Sequence, residues 1–252
     1  LRVTGQGAYT FEVSGPLQGD TGAFGDAADT LVDAVEFEPD KIIEGLLGDM
    51  DEQDWYVAPL AHGAIIEIAF TPGRTAEALS LYLYNPDQQE IWSAYHVTGG
   101  TTKTVRYLLS ATSGGPYYLE VGGLAGDYTV DFKASQQDDA GLSVDAPQDD
   151  DALGIPLNEA LNGELGDADE EDWYSFDPAE GMTIHFTPAK GSKNLSIYLL
   201  DGNRDAIWDG YHIVAEKTVS YTLEEITEGN YIVRITDGTG AYTFKVQEQS
   251  PS

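Results

Sequence analysis

The chain has 252 residues, 41% of them hydrophobic, with 28 Gly, 15 Tyr and no Cys. Its 44 acidic residues against 12 basic ones leave a net charge of −32. A field of that sign repels phosphate backbones and anionic lipid, which argues against nucleic acid as a partner, and the lack of cysteine excludes disulfides, iron–sulfur clusters and thiolate zinc sites.

The chain opens at Leu1 without an initiator Met or a signal-peptide pattern, as a processed product or an excerpt of a longer chain would. Its first residues, "LRVTGQGAYTFEVSG", match "VRITDGTGAYTFKVQ" at 233–247 almost residue for residue. Residues 1–15 therefore read as the closing hairpin of a preceding or exchanged unit. The array is either cut in mid-unit, or this hairpin pairs with the body of a neighbouring repeat or another copy of the chain. A lone hairpin exposes sheet edges and needs such a partner. An acidic, small-residue linker follows (Gly19–Asp33), and "DKIIEGLL" (Asp40–Leu47) leads into a strand or holds a turn of helix.

"GDMDEQDWYVA" (Gly48–Ala58) comes next, and its near-copy "GDADEEDWYSF" returns at Gly166–Phe176. "AIIEIAF" (Ala64–Phe70) is the longest apolar stretch and is far too short to span a bilayer. From there the repeat is continuous. "FTPGRTAEALSLYLYNPDQQEIWSAYH" (Phe70–His96) recurs at Phe186–His212 with a constant offset of 116. "KTVRYLL", "GPYYLEV" and "GDYTVDF" each have a later counterpart, with offsets near 114. Such self-similarity marks a tandem of modules. A second acidic linker (Gln136–Ala152) separates them, and "PLNEALNGEL" (Pro156–Leu165) repeats the ambiguous lead-in.

Segments such as "GMTIHFTP", "NLSIYLL" and "YIVRIT" alternate with period two between Gly, Asn, Asp and Pro punctuation. The expected fold class is all-β: tandem antiparallel β-sandwiches of about seven or eight strands each. The expected units are residues 16–135 and 136–252, each with its acidic linker.

Two Asp-rich turns carry the candidate chemistry: Asp49, Asp51 and Asp54, then Asp167, Asp169 and Asp172. Asp26 and Asp145 occupy matching linker positions upstream. Calcium takes six to eight oxygen ligands, so Asp26, Asp51 and Asp54, and likewise Asp145, Asp169 and Asp172, are candidate metal ligands. The spacing is not that of an EF-hand. The alternative is that these aspartates cap turn amides and stay solvated.

Trp55–Tyr56 and Trp173–Tyr174 read as one ring for the core and one for its rim. The repeated Ile-Trp-x-x-Tyr-His (Ile91 to His96, Ile207 to His212) reads as packing, and His62 and His185 do not align with each other. Nucleophile elbows, zinc-binding helices and phosphate loops are absent from the sequence. The chain reads as no enzyme, with catalytic and cofactor-binding residues assigned to none. "NLS" makes Asn194 a candidate glycosylation site, though the first unit has Ala78 there.

Taken together, the "DA" linker, "GELGDADEEDWYSF", "TIHFTP", "NLSIYLLD" and the closing "GNYIVRI…GAYTFKV" resemble the bacterial and archaeal pre-peptidase C-terminal domain. The resemblance covers both full units and the opening hairpin. It implies a jelly-roll-like, non-catalytic sandwich of an exported protein. It also implies calcium between the linker and the Asp-x-x-Asp before the Tyr strand, on the residues already named. The expected function is an extracellular or cell-surface structural protein: a segment of a filament, envelope layer or stalk, rigidified by calcium at its linkers. Its expected partners are copies of itself or neighbouring repeats, and glycans. The alternative is an accessory module of a secreted hydrolase that holds polysaccharide or fibrous protein. A third reading assigns the acidity to a high-salt habitat.

Overall fold

The structure is a computed structural model, and residues 27–48, 51–147 and 151–249 are described. The expected hairpin at 1–15 and the candidate ligand Asp26 lie outside the described residues. The first unit holds β1 (Val35–Glu36), β2 (Lys41–Leu47), β3 (Gln53–Leu60), β4 (Ala64–Pro72), β5 (Leu79–Tyr84), β6 (Glu90–Val97), β7 (Lys103–Leu108), β8 (Gly115–Gly123) and β9 (Gly126–Gln136). The second repeats the series as β10 (Leu153–Gly154), β11 (Leu161–Leu165), β12 (Asp172–Phe176), β13 (Thr183–Pro188), β14 (Ser196–Leu200), β15 (Ala206–Gly210), β16 (Val219–Thr222), β17 (Tyr231–Thr236) and β18 (Gly240–Gln247).

Each unit is a sandwich of a five-stranded and a four-stranded sheet. The orders are β1-β3-β8-β5-β6 with β2-β9-β4-β7, and β10-β12-β17-β14-β15 with β11-β18-β13-β16. The pairings are antiparallel except that the two-residue strands β1 and β10 run parallel to β3 and β12. Period-two alternation sets the register. Along β4, Ala64, Ile66, Ile68 and Phe70 are buried while Glu67 between them is exposed. A slip by one residue would bury Glu67 and expose that apolar row, so one register is selected. Tyr56, Leu81 and Leu119 of one sheet meet Ile66, Phe70 and Phe132 of the other in a single core. Fully burying side chains of this size stabilises the fold by roughly 1.5–3 kcal/mol each.

Both ambiguous lead-ins resolve as strand, because Ile43 and Leu47, like Leu161 and Leu165, alternate onto the core face. The repeat extends to backbone detail: Asp40 and Asn158, Gln88 and Arg204, and His96 and His212 are pairs of equivalent residues with positive φ. No helix among the described residues is long and apolar enough to cross a membrane.

The units meet where β7 ends. Arg106 donates to both carboxylate oxygens of Glu164 at 2.6 and 3.0 Å. The Leu108 amide donates to Asp167 Oδ2 at 3.1 Å, and the Ala168 amide donates to the Leu108 carbonyl at 3.1 Å.

Candidate metal centre

The Asp-rich turn is closed by its own backbone. The Gly166 amide donates to the Asp169 carbonyl at 2.9 Å and the Asp169 amide returns to Gly166 at 2.8 Å. Gly48 and Asp51 make the same pair in the first unit, at 3.2 and 3.3 Å. Asp167 sits at φ 50 in the tip, a conformation Asp tolerates better than most residues. Its carboxylate caps the Leu108 amide of the other unit, so the capping role falls to Asp167 and reaches across the joint. Asp169 and Asp172 point inward instead, 1% and 0% exposed.

The second linker folds back over them. The Asp139 amide donates to the Val144 carbonyl at 2.9 Å, and Asp139 Oδ2 accepts from the Ala146 amide at 2.9 Å. The reversal passes through Ala140 at φ 54 and Gly141 at φ 72. The Trp173 amide then donates to the Pro147 carbonyl at 3.2 Å, which fixes the linker against the start of β12. On the other side Gly63 (φ 64) lets the first unit's turn approach Asp145, since a Cβ there would collide with the Asp145 side chain. One oxygen from each of Asp139, Asp145 and Asp172 then lies within 4.8 Å of the others.

Most of the oxygens gathered around this point have no donor among the described residues. Both carboxylate oxygens of Asp145 and of Asp169, Oδ1 of Asp172 and Oε1 of Gln137 are buried without a hydrogen-bond partner among the described residues. Gln137 is 2% exposed, and its amide nitrogen donates to the Leu109 carbonyl at 2.7 Å. Burial is the main force pushing the carboxyls up. Asp139 reaches about 6, Asp145 about 8 with Asp139 beside it, and Asp169 about 9 with Asp145 and Asp139 beside it. Burial, then Asp139 and Asp169, hold Asp172 well above the ordinary carboxylate range. The nearby guanidiniums are committed elsewhere, Arg106 to Glu164 and Arg234 to Glu171.

A buried carboxylate costs several kcal/mol unless it is protonated, paired or bound to a metal. Ligands of one calcium ion, at 2.3–2.6 Å from it, stand up to about 5 Å apart, and the cation takes oxygen donors. Asp139, Asp145 and Asp172 fit that requirement, and the unpartnered buried oxygens of Asp169 and Gln137 are further oxygen donors of the same linker and turn. An all-oxygen set suits calcium or magnesium rather than softer metals.

Of the residues singled out in the sequence, Asp145, Asp169 and Asp172 come together here. Asp51 (8% exposed) and Asp54 (0%) hold the matching places in the first unit, where Asp54 Oδ2 accepts from Tyr128 at 2.5 Å. Sequence reasoning missed Asp139 and Gln137. Their signal was present: both linkers read Gln-x-Asp-x-Gly-x-x-x-Asp-Ala, at 18–27 and 137–146. Asn194 is exposed at φ 57, whereas Ser196 is fully buried with its Oγ accepting from the His212 amide at 3.0 Å.

Tyr56 and Tyr174 fill the cores, and Trp55 and Trp173 lie on the outer sheet faces. The Ile-Trp-x-x-Tyr-His motif departs from expectation. Trp92 and Trp208 pack against the cores, but Tyr95 and Tyr211 are 58% and 62% exposed. The histidines that follow them, His96 and His212, both adopt positive φ.

No protein-family model matches the sequence, and no curated protein matches it. Among solved structures, the chain is similar to the pre-peptidase C-terminal domain of a collagenase from Bacillus anthracis. That match has 21% identity and a TM-score of 0.34, covering 40% of this chain and 94% of that one. A fucolectin from striped bass serum (Morone saxatilis) is 11% identical with a TM-score of 0.25, covering 82% of this chain and 83% of that one. The PBSX exported protein XepA is 11% identical with a TM-score of 0.27, covering 81% and 84%. At such scores the all-β assignment rests on this chain's own strands and registers.

Proposed function

We propose that the chain is a non-catalytic structural module of the cell exterior. In this reading its tandem sandwiches form part of a surface filament, envelope layer or stalk, and a calcium ion bound between linker and second unit sets their mutual angle. One observation carries the reading: the carboxylates of Asp139, Asp145, Asp169 and Asp172 are buried at the joint, and among the described residues both oxygens of Asp145 and Asp169 and one of Asp172 have no donor. The linker supplies two of them and the opening of β12 the others, so a bound cation would tie the linker to the second unit. Gly63 and the Leu108–Asp167 bond bring the first unit to the same point.

The test is calorimetric titration of chelator-treated protein with calcium chloride, paired with thermal unfolding. Saturable binding is expected, with about 2.7 kcal/mol of added stability at a hundredfold excess over Kd. Asp139→Asn and Asp145→Asn should each weaken binding by tenfold or more. Unchanged unfolding in calcium would sink the cation centre. If molar sodium chloride protects as well as millimolar calcium, the acidity belongs to a saline habitat. Electron micrographs with and without chelator test the assembly role, which dispersed particles under both conditions would exclude.

A further inference from the structure

The two units carry the same outward row of side chains with opposite charge at its centre. In the second unit the register sets Trp173 of β12 beside Arg234 of β17, and Arg234 beside Tyr198 of β14. The guanidinium of Arg234 lies 5.5 Å from the Trp173 ring and 5.6 Å from the Tyr198 ring. Glu171 clamps it with two bonds of 3.0 and 2.6 Å. Arg204 covers Trp173 at 5.7 Å, leaving that indole only 9% exposed.

In the first unit the same row is Trp55, Glu120 and Tyr82. Glu120 stands at the position of Arg234, Gln53 at that of Glu171, Gln88 at that of Arg204 and Glu90 at that of Ala206. With no guanidinium in the row, Tyr84 joins the two rings, 5.3 Å from Trp55 and stacked on Tyr82 at 6.4 Å, and it donates to Glu120 at 2.6 Å. Tyr82 packs edge-on against the exposed Tyr95 at 5.2 Å, and Tyr95 donates to Glu90 at 3.1 Å. A groove of about 540 Å³ opens beside the row, lined among others by Glu52, Gln53, Tyr82, His96 and Glu120.

We propose that this face of the first unit is a docking slot for an arginine side chain on a peptide segment of another molecule. The guanidinium stacks on the outer face of the Trp55, Tyr84 and Tyr82 row and pairs with Glu120, as Arg234 does with its own rings and with Glu171 in the second unit. A guanidinium is planar and weakly hydrated, so it stacks on aromatic faces while its fork pairs with a carboxylate. Charge complementarity selects this occupant over an uncharged glycan: the first unit has Glu120 and Glu90 where the second has Arg234 and Ala206, and Gln88 where the second has Arg204. The slot stands independently of the cation centre.

The test titrates isotope-labelled full chain, at physiological ionic strength, with a short blocked peptide of glycine and arginine. A matched peptide carries citrulline, which keeps the shape and loses the charge. Saturable resonance shifts are expected at Trp55, Tyr82 and Glu120, with the citrulline peptide at least ~10-fold weaker. Glu120→Arg, which copies the second unit, should abolish those shifts, and Glu120→Gln should weaken binding and carries the test if the first variant misfolds. Glu44→Arg makes the same charge change on β2 of the opposite sheet and should leave affinity within ~2-fold. The proposal is overturned if Glu44→Arg weakens binding as much as Glu120→Arg, if citrulline binds as well as arginine, or if no saturable shift appears at these residues. Tighter binding of a neutral oligosaccharide to the same rings overturns it too.

Discussion

Tyr242 donates its phenolic hydrogen to Asp172 Oδ2 and shares a 2.7 Å hydrogen bond with the hydroxyl of Tyr174. Tyr128, Asp54 and Tyr56 repeat the relay at 2.5 and 2.6 Å. A core tyrosine needs a partner for its hydroxyl, and here that partner is a carboxylate of the proposed metal centre. One oxygen of Asp172 is thereby committed to the core while the other faces the cluster. Tyr242→Phe should cost about 1–3 kcal/mol in denaturant unfolding, because both Asp172 and Tyr174 lose a buried partner. The loss should be smaller in saturating calcium, which would hold Asp172 by its other oxygen.

The relay needs glycine opposite each tyrosine. A Cβ on Gly163 would collide with the Tyr242 hydroxyl and come within 2.8 Å of the Tyr174 hydroxyl, and a Cβ on Gly45 would strike Tyr128. Gly163→Ala and Gly45→Ala should therefore destabilise by about 1–3 kcal/mol through overpacking. Thermal melts check this, and a neutral outcome would show that the tyrosines can move aside.

The chelated protein should lose stability as pH rises. Burial pushes Asp139, Asp145 and Asp169 up to about 6, 8 and 9 from an ordinary 3.8. Across that window the folded state binds more protons than the unfolded one, so stability is full below the unfolded value and falls as pH passes each folded value. Asp145→Asn should flatten this slope. Calcium should reverse it, since protons compete with the cation for the same oxygens. Melts from mildly acidic to mildly alkaline pH, with chelator and with calcium, decide the point.

The joint should depend more on Asp167 than on Arg106. The Arg106–Glu164 pair is about one-third exposed on both sides, which limits it to about 1 kcal/mol or less. Asp167→Ala leaves the amide of the buried Leu108 without this partner, at about 1–3 kcal/mol. Residual dipolar couplings should show the units reorienting in Asp167→Ala and hardly at all in Arg106→Ala.

Much of this was determined by the sequence itself. Period-two alternation at Ala64–Phe70 and its relatives dictates strands with one buried face, and the constant offset dictates two sandwiches of one design. The pairing of Asp145 with Asp169 and Asp172 was legible because both units repeat it. Tertiary structure alone decided the rest. Asp139 and Gln137 join the cluster because the linker reverses at Ala140 and Gly141, and Gly63 of the other unit closes on Asp145. Asp167 caps Leu108 of the other unit because its turn aims it there. The contrast between Arg234 and Glu120 is a plain substitution in the repeat. It became a difference between a row centred on a guanidinium and one centred on a carboxylate only when register put each residue between a Trp and a Tyr. Local pattern reports which face a side chain takes, and the neighbours it meets there depend on strands far apart in sequence.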